Sequence, residues 1–91
     1  MAGFPGGSAW AMARDIGEGH VLVNERTFAR LKSREMDKLQ FELDRLVRRV
    51  RGTQPALDAT QEIQVRQRRM QRLTGAQRML QAYLQRMRSK A

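Results

Sequence analysis

With 91 residues the chain forms one small domain at most, and it contains no cysteine, which excludes disulfides and thiolate metal sites. Eighteen Lys and Arg oppose nine Asp and Glu, a formal charge of +9, and 15 of the cations are Arg, whose permanently charged fork suits carboxylates and phosphates. That surplus favours an anionic partner, while no stretch approaches the roughly 18 apolar residues that span a bilayer.

Residues 1–20 read as a flexible, Gly-rich N-terminal segment holding a possible short helix. Ser8 can cap a turn over Ala9–Ile16, with Trp10, Ala13 and Ile16 on one face and Gly17 and Gly19 ending it. The segment has neither a basic n-region nor a continuous apolar h-region, so a soluble, cytoplasmic protein is expected. Val21-Leu22-Val23 is a brief apolar run.

Residues 21–91 read as a helical hairpin. Helix 1 is predicted over about 24–51. Asn24 is a good N-cap, Glu25 suits the positive end of the helix dipole, and Val23 can staple onto Phe28. Met36, Leu39, Leu43, Leu46 and Val50 follow the a/d steps of a heptad. Gly52 ends the helix after Arg45, Arg48, Arg49 and Arg51, cations that suit a helix C-terminus. Residues 52–57 form the turn. Asp58 with Gln61 resembles a capping box for helix 2, predicted over about 58–88, and Thr53 is an alternative cap. Its seam is Ile63, Arg66, Met70, Leu73, Gln77, Leu80, Leu84 and Met87, with Gly75 at an outward position.

Folding the helices back antiparallel pairs Val50 with Ala59, Leu46 with Ile63, Leu43 with Arg66, Leu39 with Met70, Met36 with Leu73, Lys32 with Gln77 and Ala29 with Leu80. The flanking positions then pair Arg49 with Glu62, Glu42 with Arg69, Glu35 with Ala76 and Phe28 with Tyr83, of which two are opposite charges and one is aromatic on aromatic. Arg66 can lay its stem over Leu43 and lift its head to water. The expected fold is all-α: an antiparallel, coiled-coil-like two-helix hairpin with a short N-terminal helix, associating into a helical bundle.

The seam leaves apolar residues over. Phe28, Leu31, Phe41, Met79 and Tyr83 are the candidate protein-interaction face, for a second copy or another helical protein. A competing account packs Trp10 and Val21–Val23 across the open end against Leu31, Met79 and Tyr83. Charge is also uneven: every acid lies at or before Glu62, and eight cations follow Ile63. Arg66, Arg68, Arg69, Arg72, Arg78, Arg86 and Arg88 are therefore the candidates for nucleic-acid binding, by counterion release along helix 2. An acidic protein surface is a further candidate partner. A membrane partner is not expected, because the seam already uses the bulky apolar residues.

The chain has no Ser/His/Asp or Cys/His set and no Gly-rich phosphate loop after a strand, and its one histidine, His20, cannot build a metal site alone. No enzyme activity, catalytic residue, cofactor or metal is expected. The first functional reading is a small non-enzymatic interaction protein with an adaptor or assembly role, and the second is a nucleic-acid-binding protein. A third comes from layout. Asp58 and Glu62, the only acids of helix 2, lie near the hairpin tip. This is similar to the coiled-coil hairpins of transcription factors that enter the polymerase secondary channel, although the globular or zinc domain of that family is missing here. The resemblance implies a regulator acting on RNA polymerase, and it rests on shape alone.

Overall fold

A computed structural model describes residues 7–53 and 59–90. Four helices follow in chain order: α1 (Ala9–Glu18), α2 (Glu25–Ala29), α3 (Ser33–Gly52) and α4 (Thr60–Lys90). The two long helices pack on each other, and α1 packs on both, so a third helix completes the core.

The local signals explain the starts and stops. The Ser8 hydroxyl accepts from the Ala11 amide at 3.1 Å and caps α1. At the other end Gly19 takes a left-handed φ of 82°, with its amide on the Ile16 carbonyl and the His20 amide on the Asp15 carbonyl. That Schellman closure suits glycine, because a Cβ is strained in this backbone region. The buried residues of α1 are Ala9, Ala11, Met12, Ala13, Ile16 and Gly17. Trp10, expected to share a face with Ala13 and Ile16, is 44% exposed instead. Gly17 also lies close to α4: a Cβ there would stand 3.2 Å from Leu73 Cδ2.

Asn24 caps α2 as expected. Its Oδ1 accepts from the Thr27 amide at 3.1 Å, and Thr27 Oγ1 accepts from the Asn24 amide at 3.3 Å. The single helix expected over 24–51 is instead two. The chain leaves α2 at Arg30, turns Leu31 into the core, and restarts after an extended Lys32 (φ −78°, ψ 162°). Glu35 Oε1 accepts from the Lys32 amide at 2.8 Å and satisfies one donor of the new N-terminus.

The break accompanies a change of register. Phe28 meets Tyr83 as expected, with ring centroids 5.8 Å apart, and Glu25 pairs with Arg86 beside it. Along α3 the pairing differs. Arg66 reaches Val50, one heptad past its expected partner Leu43, and Gln77 bonds Asp44 rather than facing Lys32. Glu42 pairs with Arg45 of its own helix at 3.3 Å, not with Arg69, and no ion pair joins Arg49 to Glu62 among the described residues. One straight rod cannot hold both registers against α4, and the kink at 30–32 lets each half take its own.

Core composition shifts accordingly. The buried stripe of α3 is Met36, Leu39, Leu43, Val47 and Val50, while Leu46 is only half-buried. These steps follow the 3.6-residue period of a straight helix packed against two neighbours, not the 3.5-residue heptad of a two-helix seam. On α4 the buried residues are Leu73, Ala76, Leu80 and Leu84, with Met70 partly buried against them. Met87, expected in the seam, is 46% exposed. Thr53, an alternative cap for helix 2, closes α3 instead: its amide bonds the Val50 carbonyl and its hydroxyl the Arg49 carbonyl. The expected Asp58 cap and the Pro55 pivot lie outside the described residues. No described helix is long and apolar enough to cross a membrane.

Candidate functional site

The five residues expected to form an interaction face do not form one. Phe28 is fully buried and Leu31 nearly so, with Tyr83, Val21 and Val23 packed partly buried on the same cluster. These residues close the end of the molecule where α2 meets α4, and they are not presented to a partner. Met79 remains 40% exposed, and Phe41 is 61% exposed on the outer side of α3.

The seven arginines expected to bind nucleic acid are also divided. The Arg66 guanidinium donates to three carbonyls at the end of α3, those of Val50 (3.1 Å), Thr53 (3.0 Å) and Arg51 (3.4 Å). It thus caps the negative end of that helix, rather than lifting its head to water as expected. Arg72 Nη1 donates to the Gly17 carbonyl at 3.1 Å and does the same for α1. Arg86 is held by Glu25. Arg68, Arg69, Arg78 and Arg88 are exposed and make no hydrogen bond or ion pair among the described residues. Arg68, Arg78 and Arg88 follow each other at ten-residue steps, so each is rotated by about 80° from the last and they wind around α4 without forming a face.

An open groove of about 860 Å³ lies between α1, α3 and α4, near the end where the two long helices are joined. Each helix gives it one stripe at helical spacing. Helix α1 supplies Trp10, Arg14, Gly17 and Glu18. From α3 come Leu46, Arg49, Val50 and Thr53, and from α4 Gln61, Glu62, Val65, Arg66, Arg69 and Leu73. The α4 stripe from 61 to 73 is about 18 Å long, roughly three helical turns. The apolar part is Leu46, Val50, Val65 and Leu73, with the Trp10 indole at one side. Trp10 and Val65, at 44% and 50% exposure, are large apolar side chains left in water along a single cleft. Arg14, Arg49, Arg66 and Arg69 outnumber Glu18 and Glu62 around it. The Arg14 guanidinium lies 4.8 Å from the Trp10 ring centre and holds the indole at the rim.

The groove is not legible in sequence. Its one signal is Trp10, which has no place in a two-helix seam, and the α1 placement that would assign it depends on long-range packing. A second grouping is equally hidden: Asp15, Glu18 and His20 bring their ligand atoms within 4.8 Å of one another. Asp15 lies 3.5 Å from Arg14, and Glu18 lies 3.6 Å from a largely exposed His20, so neighbours already engage these groups. These are surface contacts between neighbouring residues at the end of α1. Comparison of the chain with known protein families, curated proteins and solved structures found no match.

Proposed function

We propose that this chain is a non-enzymatic interaction protein that receives an acidic amphipathic helix of a partner protein in the groove between α1, α3 and α4. The observation that carries the reading is the cleft itself: three helices each turn one stripe toward a space about three turns long, with Trp10 and Val65 left in water. A fourth helix laid there would bury both and complete a four-helix packing. The rim selects its chemistry. Four arginines against two glutamates favour carboxylates on the incoming helix, and a second copy of this +9 chain would bring like charge to the same rim. An adaptor or assembly role follows from such docking. Charge complementarity acts mainly on specificity and association rate, while Trp10 and the apolar floor supply the affinity.

The test uses a synthetic three-turn peptide with Leu at i, i+3, i+4 and i+7 and Glu on the flanks, titrated while following the fluorescence of the sole tryptophan. Saturable binding that is lost in Val65→Glu, and is absent for the same peptide with Lys in place of Glu, is the expected result. Equal binding of the Lys peptide would overturn the acidic partner. A stable dimer by light scattering that Val65→Glu dissolves would replace the partner helix with a second copy.

A further inference from the structure

The outer faces of the two long helices differ in a way the charge count conceals. On α3 the residues directly opposite the buried stripe are Arg34, Lys38, Phe41, Arg45 and Arg48, spaced i, i+4, i+7, i+11 and i+14. All five are exposed. They form a straight row about 21 Å long. It holds four cations, one aromatic at its centre and no acid. The equivalent row on α4 is Gln64, Arg68, Gln71, Gly75, Arg78 and Ala82, mostly neutral.

The α3 row also meets a second aromatic. A crevice of about 50 Å³ brings Trp10 of α1 against Glu42, Arg45, Leu46 and Arg49. The Arg45 guanidinium lies 5.9 Å from the Phe41 ring centre, and Arg14 lies over the Trp10 ring. The surface therefore alternates Arg14, Trp10, Arg45 and Phe41. Acids border it on both sides. Asp37 is exposed beside the row, Asp44 is half-buried and accepts from Gln77, and Glu42 shows only 14% of its side chain and spends one oxygen on Arg45.

We infer that this α1–α3 face binds single-stranded nucleic acid, with bases stacked on Phe41 and Trp10 and phosphates held by Arg34, Lys38, Arg45 and Arg48. Side chains on one face of a helix recur about every 4.5–6 Å along its axis, close to the span of an extended nucleotide, and here Phe41 takes the step between Lys38 and Arg45. Every base offers a π-face, so two separated aromatics among cations suit a strand without sequence preference. Three of the four cations are Arg, which grips phosphate with two parallel donors where Lys acts as a point charge. An anionic membrane fits less well, since the row offers one bulky apolar side chain where lipid insertion needs several. This inference does not depend on the partner helix of the groove. It uses the outside of α3, and Trp10, Arg14, Leu46 and Arg49 border both surfaces.

The experiment titrates the full chain with a fluorescently labelled oligo(dT) and with its duplex at two salt concentrations, following anisotropy and Trp10 emission. The expected result is preference for the single strand, quenching of Trp10, and an affinity loss of roughly 50-fold between about 50 and 200 mM salt, the value for about four neutralised phosphates. Phe41→Ala lowers affinity about tenfold. The double variant Arg45→Gln/Arg48→Gln flattens the salt slope by about 1.4. The variant Arg78→Gln/Arg88→Gln, with the same loss of charge on α4, changes affinity less than about twofold. The inference is overturned if the two double variants weaken binding equally, if Phe41→Ala binds like the parent, or if phosphatidylserine vesicles outcompete the oligonucleotide. Phe41, Arg45 and Arg48 are exposed, and circular dichroism of each variant separates lost binding from lost fold.

Discussion

The two ends of this molecule use the same helix, α4, and treat it differently. Toward Lys90, α2 lies over α4 and Val21 and Val23 pack on the same core, so that Phe28, Leu80 and Leu84 are buried and Tyr83 is packed on the Phe28 ring. Toward Thr60 nothing described covers α4 on the α1 side, and Val65 stands half in water beside Trp10. What differs is whether a described element covers α4. The closed end therefore contributes stability, and the open end leaves Trp10 and Val65 partly in water.

Substitutions sharpen that contrast. The largest effect is expected from Phe28→Ala, which removes a fully buried ring and should cost about 3–5 kcal/mol in urea unfolding, enough to abolish folding of so small a domain. An intact fold in this variant would mean that the α2 end is not the stabilising one. Arg66→Met keeps the stem but removes the donor to three α3 carbonyls, and a loss of about 2 kcal/mol is expected. Amide exchange at Val50–Thr53 should rise with it, since the last turn of α3 loses its cap. Gly75 sits in α4 between the two ends, and a Cβ there would meet nothing within 4 Å. Gly75→Ala should raise stability by about 1 kcal/mol through helix propensity alone, and a decrease would reveal packing against α4 at that position. Val65→Glu should alter stability by less than about 0.5 kcal/mol, because its side chain is half-exposed at the open end. A large loss there would show that the groove is closed in solution and would remove the basis for partner docking.

Several of these features are legible in the residues. Asn24 and Ser8 cap where expected, because a short polar side chain before an apolar-periodic run has one good use. Phe28 facing Tyr83 also follows from the antiparallel reading. The seam residues illustrate the boundary. Leu46 and Val47 are adjacent and equally apolar, and either could face inward. The heptad choice of Leu46 assumes that α4 is the only neighbour of α3. In the folded chain α1 packs on α3 as well, Leu46 lines the groove with Trp10, and Val47 is the buried residue. Arg66 shows the same limit for charge. In a two-helix seam it is an intrusion, whereas in the folded chain it finds the unpaired carbonyls of α3, which sequence periodicity cannot place. Counting charges assigns the basic flank to α4, yet α4 spends Arg66, Arg72 and Arg86 on intramolecular partners, and the continuous cationic row lies on α3.

The sequence by itself determined the all-helical class, the caps at Ser8, Asn24 and Gly19, and part of the apolar stripe of the two long helices, because these depend on residues within one or two turns. The tertiary structure alone decided the kink at Arg30–Lys32, the wedge of α1 between α3 and α4, and the cleft that the wedge leaves open. Those outcomes depend on which stripe is covered by which distant element. Gly17 permits that close approach and Arg72 anchors it, across a separation of 55 residues that no local pattern spans.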